Sequence, residues 1–210
     1  MSERCTRETR RCEFWTRGES YVRPDCCTGH LKELLFFTHS LLTRHGIRHW
    51  LDFGALLGAV RTGEFIPWDA DVDFGIMQAD LERVRALKGE IEQYGYRLDT
   101  TYPYVWRILL SDINTQHADL FPWRAHDGML QMHWPGHSDD TWAFPSQMLE
   151  SLHGVELYRQ LLPAPAPVSE FLSQYRYGSD YQTPQRPEQI TERQRIRGIV
   201  AEFVAQRRQS

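Results

Sequence analysis

Between Thr28 and His45 the residues Leu31, Leu34, Leu35, Leu41 and Leu42 recur at the spacing of one helical face, with Thr28 placed to cap the start and Gly46 to stop the end. The period then changes. His49–Phe53 reads as a short strand, Ala55–Arg61 as a helical turn, and Val72–Ile76 as a second strand after the breaker Pro67. Asp80–Gln93 carries Leu81, Val84, Leu87 and Ile91 near one face and predicts a helix, followed by strands at Tyr94–Leu98, Tyr104–Leu110 and Gln116–Phe121. Beyond Trp123 the pattern weakens: Leu130–Trp134 reads as a strand and Gly136–Asp140 as a polar turn. The proline-rich run Leu162–Val168 precedes a helix at Ser169–Tyr177, and Thr191–Gln206 predicts a closing helix. Helices interleaved with strands predict an α/β (α+β) protein, a mixed sheet flanked by helices.

A chain of 210 residues has the size of one domain with a small appendage. The appendage is residues 1–27, which hold all four cysteines and little apolar periodicity, so a covalent or metal staple is needed there; residues 28–210 form the main domain. A net charge of −4 provides no general basic field for a nucleic-acid backbone, so a polymeric nucleic-acid partner is not expected. Lys32 and Lys88 are the only lysines, leaving guanidinium to carry nearly all the positive charge. Guanidinium suits bidentate phosphate contacts, although genome base composition produces the same bias. Residues 1–11 are polar and lack the apolar run of a secretory signal, and the stretches Leu34–Phe37 and Ala55–Val60 fall far short of the ~20 residues that span a bilayer. The expectation is a cytoplasmic protein.

The chemistry concentrates between Trp50 and Ile76, where a glycine-bearing strand end is followed by aspartates at alternate positions. On a strand, Asp71 and Asp73 face the same side with Cα atoms about 6 to 7 Å apart. Carboxylates so placed repel one another unless a counter-charge joins them, and their hard oxygens suit Mg²⁺ or Mn²⁺. Asp119, set between apolar neighbours in His117–Phe121, is expensive to bury unless paired or metal-bound, and supplies a third carboxylate. Turn or edge carboxylates are the plain alternative for all three.

The strings FGALLGAVR and IPWDADVDFGI, then HADLFPW and YGSDYQTP, resemble the LicD and fukutin-related family of phosphotransferases, with a nucleotidyltransferase fold. The resemblance implies metal-dependent transfer of a phospho-group from a CDP-activated donor to a glycan hydroxyl. Cys5, Cys12, Cys26 and Cys27, in the spacing C-x6-C-x13-C-C ahead of a helix, are similar to the zinc loop of the fukutin-related members. That branch implies CDP-ribitol as donor, ribitol 5-phosphate as the group moved and CMP as the product; CDP-choline is the other donor. On chemistry alone the four thiols can close a tetrahedral Zn²⁺ site, with two disulfides or unligated thiols as alternatives.

Within this resemblance Asp71, Asp73 and Asp119 are the ligands of the catalytic Mg²⁺ or Mn²⁺. Asp69 is an outer group, an acceptor-activating base or a loop cap. Backbone N–H groups of the Gly54–Gly58 turn are placed to bind donor phosphate at a helix start. Ala55 stands where the family commonly has a hydroxyl residue. Arg61 and Arg107 match family arginines and serve either as phosphate clamps or in salt bridges. Trp68 and Trp123 read as packing, His117 as a core or outer residue, and Tyr177–Tyr181 with Pro184 as the family's closing motif, lining the acceptor side or ending a helix. Two rival functions share these residues: a nucleotidyltransferase that moves NMP from an NTP and releases pyrophosphate, and a non-catalytic glycan-binding module.

Overall fold

Helix α1 (Asp25–Arg44) buries Leu31, Leu34, Leu35, Leu41 and Leu42 along one face and ends at Gly46, whose φ of 59° glycine adopts without strain. In this computed structural model, which describes residues 5–10, 23–132 and 142–184, α1 starts earlier than its leucine pattern indicates. Pro24 is the cap residue, and the Thr28 N–H is already bonded within the helix, to the Pro24 carbonyl at 3.1 Å. Cys26 and Cys27 therefore lie in the first turn of α1.

The sheet is built from β1 (His49–Leu51), β2 (Val72–Met77), β3 (Arg97–Tyr102), β4 (Val105–Leu109) and β5 (His117–His126) in the order β1-β2-β5-β4-β3, with β6 (Met129–Gln131) paired to the far end of β5 and β7 (Ala143–Pro145) to β6. Only β2 and β5 run parallel; the other pairs in this sheet are antiparallel, giving the mixed sheet expected. Helix α2 (Phe53–Thr62) joins β1 to β2. The helix expected over Asp80–Gln93 is two short ones, α3 (Leu81–Ala86) and α4 (Lys88–Gln93), parted at Leu87, with Gly89 lowering helix stability just beyond. β5 runs on through Pro122, which is tolerated because β4 pairs only as far as Leu120 and demands no N–H there. The proline-rich run is in part a strand: β8 (His153–Leu157) and β9 (Gln160–Ala164) form a separate hairpin, and α5 (Val168–Tyr175) follows. Trp123, Phe144 and Phe171 stack edge to face at 4.8 and 4.9 Å and join α5 to the sheet. Among the described residues no helix is long and apolar enough to cross a membrane. The predicted turn at Gly136–Asp140 and helix at Thr191–Gln206 lie outside the described residues.

A histidine pair ties α1 to β1. His49 Nδ1 lies 2.9 Å from the Ile47 carbonyl, which can only accept, so His49 Nε2 accepts in turn from His39 Nδ1 at 2.8 Å. Burial lowers the His49 pKa from 6.5 to about 4, the Ile47 carbonyl opposing and His39 adding to the shift. The folded state thus binds fewer protons than the unfolded chain. This contribution is complete above pH 6.5 and lost as pH falls toward 4, amounting to about 3 kcal/mol at most. Urea midpoints measured between pH 7 and 4 should fall more steeply for wild type than for His49→Gln; equal slopes would remove His49 from the acid response.

Candidate active site

Register places the charged groups in a row. Asp73 on β2 pairs with Asp119 on β5, Asp119 with Arg107 on β4, and Arg107 with Asp99 on β3, so their side chains share one face of the sheet. Arg107 Nε donates to Asp119 Oδ1 at 2.9 Å. One step toward the start of the parallel pair, Asp71 immediately precedes β2 and His117 opens β5, with Val72 and Ala118 paired between the two rows. The ligand atoms of Asp71, His117 and Asp119 all lie within 4.8 Å of one another, the one such trio among the described residues.

Helix α2 brings its N-terminus to this corner. Asp52 caps it, Oδ1 accepting from Phe53 N–H at 2.8 Å, and the Ala55 N–H donates to Asp73 Oδ2 at 3.3 Å. Phe53 takes φ 39°, a costly value for a bulky residue, at the sharp turn from strand to helix. Gly54 is required here: a Cβ on it would sit 2.1 Å from Asp69 Oδ2, so its absence lets the Asp69 carboxyl lie against the helix start. The buried Arg23 fixes the Asp69 loop from behind, donating to the Asp69 and Ile66 carbonyls at 2.6 and 2.9 Å.

Four of these carboxylates are buried: Asp52, Asp69, Asp73 and Asp119. Burial, reinforced by Asp71, Asp69 and Asp119, pushes the Asp73 pKa well above its usual range. Burial also raises Asp119, with His117 and Arg107 opposing. For Arg107, burial works against the charge but Asp119, then Asp71 and Asp99, prevail and raise its pKa. Charging these carboxylates together is costly, and Arg107 offsets part of that cost at Asp119. Two carboxylates and an imidazole within reach of one point form a donor set that fits a divalent ion.

The other candidates separate. Gly58 sits a turn into α2, where a Cβ would meet the Glu64 carbonyl at 2.4 Å, so it serves the approach of the 64–66 backbone. Arg61 donates to the Thr183 carbonyl at 3.0 Å and to the Tyr181 carbonyl, tying the closing motif to α2. Trp68 and Trp123 pack on the core. Cys5, Cys26 and Cys27 form no disulfide with one another, and no three of the described cysteine sulfurs gather within 4.8 Å; Cys12 lies outside the described residues. The turn before β5 nonetheless holds both parts of the cysteine segment: Asn114 Nδ2 donates to the Thr6 carbonyl at 2.8 Å and lies 3.7 Å from Cys5 Sγ, and Gln116 Nε2 reaches the Cys27 carbonyl at 3.5 Å.

Sequence reasoning passed over Asp52 and Arg176. Both side chains are fully buried and form a bidentate pair, Arg176 Nε to Asp52 Oδ1 at 2.6 Å and Nη2 to Oδ2 at 3.0 Å. Four rings surround the guanidinium, Phe171 at 4.3 Å, Phe53 and Trp123 at 4.9 Å and Phe144 at 5.3 Å. The pair locks the end of α5 onto the cap of α2. An Asp directly before the glycine turn was the available signal; nothing local marks Arg176.

Residues 46–167, which contain the whole carboxylate row, match the nucleotidyltransferase domain described as LicD/FKTN/FKRP. The chain belongs to this LicD/FKTN/FKRP family. It is 31% identical over 201 residues to the "Ribitol 5-phosphate transferase FKRP" of Homo sapiens, covering 87% of this chain and 40% of that protein. It is also 34% identical over 108 residues to the uncharacterized protein RP689 of Rickettsia prowazekii (strain Madrid E), covering 51% of this chain and 41% of that protein. The chain thus spans about two fifths of the length of these curated relatives. Among solved structures, the lincomycin-bound lincosamide antibiotic adenylyltransferase LnuA aligns with a TM-score of 0.47 and 16% identity, over 68% of this chain and 85% of that one.

Proposed function

We propose that the protein is a metal-dependent phosphotransferase that moves ribitol 5-phosphate, or a related phospho-alditol or phosphocholine, from a CDP-activated donor to a glycan hydroxyl. The observation that carries this reading is the corner where Asp71, His117 and Asp119 bring ligand atoms within 4.8 Å beside buried Asp73, in a chain whose relative is a ribitol 5-phosphate transferase. Asp71, Asp73 and Asp119 hold a divalent cation, Mg²⁺ or Mn²⁺, which supplies charge neutralisation for the donor diphosphate and the leaving CMP. Arg107 orients Asp119 through the 2.9 Å bond to Oδ1. The N-terminal end of α2, set at Gly54, faces phosphate oxygens with its dipole, and Asp73 competes for the Ala55 N–H.

The acceptor oxygen attacks the alditol-bearing phosphorus in line. A new P–O bond forms, the pyrophosphate bond breaks, and CMP leaves with the electron pair. Asp69, its carboxyl resting against Gly54, takes the hydroxyl proton. CMP release from CDP-ribitol, CDP-glycerol and CDP-choline, with water standing in for the acceptor, tests donor class: release from one donor, abolished by chelator, is expected. Release from none of the three, once glycan acceptors are added, would leave the reading without support.

Cys5, Cys12, Cys26 and Cys27 are proposed to bind a structural Zn²⁺ in segment 1–27, docked through Asn114, Gln116 and Arg7. Arg7 donates to the Gly95 and Leu110 carbonyls at 2.9 and 3.0 Å and pairs with Glu33. Elemental analysis of the native, reduced protein should find one zinc per chain, and its absence would count against the site.

A further inference from the structure

His117 is placed to do more than pack. It lies two residues before Asp119 on β5, so the two side chains share a face, and it is only 7% exposed. Its Nδ1 lies 2.8 Å from the Thr115 carbonyl. A carbonyl only accepts, so Nδ1 bears a ring proton and Nε2 is the nitrogen turned to the other side, toward Asp119. That Nε2 lies 3.4 Å from Asp119 Oδ1, and His117 belongs to the trio whose ligand atoms lie within 4.8 Å of one another. A metal-binding histidine has the same arrangement, one ring nitrogen anchored on a backbone carbonyl and the other on the ion. Arg107 Nε already donates to Asp119 Oδ1 at 2.9 Å, so that oxygen has a cationic partner of its own.

We infer that His117 Nε2 is a protein ligand of the divalent cation beside Asp71 and Asp119, and that the site consequently prefers Mn²⁺ to Mg²⁺. This rests on the reading that a cation sits among these carboxylates. Mg²⁺ takes oxygen ligands in a strict octahedron and gains little from imidazole, whereas first-row transition ions bind it well. Asp73, whose Oδ2 accepts from the Ala55 N–H, stands beside this trio and keeps its Oδ1 for the ion.

The test is metal binding, independent of turnover. Mn²⁺ is titrated into the full chain and followed by electron paramagnetic resonance, and Mg²⁺ by calorimetry, for wild type, His117→Gln, His117→Ala and Asp71→Asn. Wild type should bind Mn²⁺ at least about tenfold more tightly than Mg²⁺, and both His117 variants should lose about tenfold in Mn²⁺ affinity with little change for Mg²⁺. Bound Mn²⁺ in wild type should show spin-echo modulation from a directly coordinated ¹⁴N, a readout that needs no variant to fold. Binding that depends on Asp71 but shows no nitrogen coupling and ignores His117 would overturn the inference and spare the cation site. No binding of either ion to wild type would overturn both.

Discussion

Arg176→Met should lower the free energy of unfolding by about 3 to 5 kcal/mol, measured as the urea midpoint at constant m-value. The side chains of Arg176 and Asp52 are both at 0% exposure, so methionine fills much of the volume but leaves a carboxylate stranded among rings. Removing the guanidinium also takes away two charge-assisted hydrogen bonds and its packing on four aromatic faces. The double variant Asp52→Asn/Arg176→Met, which removes both charges, should recover a large part of the loss, giving a coupling energy of about 2 to 3 kcal/mol. Additive losses would mean that Arg176 acts through packing alone.

Asp71→Asn should depress cation-dependent turnover by about 10³-fold, ~4 kcal/mol in transition-state free energy, while leaving the fold intact. Asp71 is only half-buried, and it adds to the repulsion on buried Asp73. Without cation the variant should therefore be no less stable than wild type, and removing a crowding charge favours it slightly. With cation at about 100 times its dissociation constant, wild type should gain about 2.7 kcal/mol, a gain the variant largely forfeits at the same concentration. Thermal unfolding with and without Mn²⁺ reads both effects; equal stabilisation of the two proteins would take Asp71 out of the ligand set.

Much of this corner was legible because its signals are local. Alternate aspartates before an apolar strand put Asp73 in the sheet with Asp71 at its mouth, and the leucine period of α1 fixed its buried face. Asp119 could be singled out because an acid among apolar neighbours needs a partner; that the partner is Arg107 follows from strand order, which periodicity does not encode. The start of α1 was misplaced because Thr28 is a good cap residue, whereas the chain turns at Pro24. The β8–β9 hairpin was hidden by Pro163 and Pro165 and by its turn, where Tyr158 and Arg159 adopt φ 52° and 64° with no glycine to announce it. Bonds to the Gly63 carbonyl and from the Phe65 N–H, made by the Tyr158 N–H and hydroxyl oxygen at 2.8 and 3.1 Å, hold that turn. The Asp52–Arg176 lock was invisible for the same reason as Arg107: it joins residues 124 positions apart.

Product identity separates the proposed transfer from nucleotidyl transfer on the same carboxylates. Wild type and Asp71→Asn are incubated with Mn²⁺ and either CDP-ribitol or CTP, and the phosphorus products are resolved by ³¹P NMR. CMP and a ribitol 5-phosphate product from CDP-ribitol, with no pyrophosphate from CTP and neither product in Asp71→Asn, is the predicted result. Pyrophosphate from CTP with CDP-ribitol untouched would contradict it and make the protein a nucleotidyltransferase.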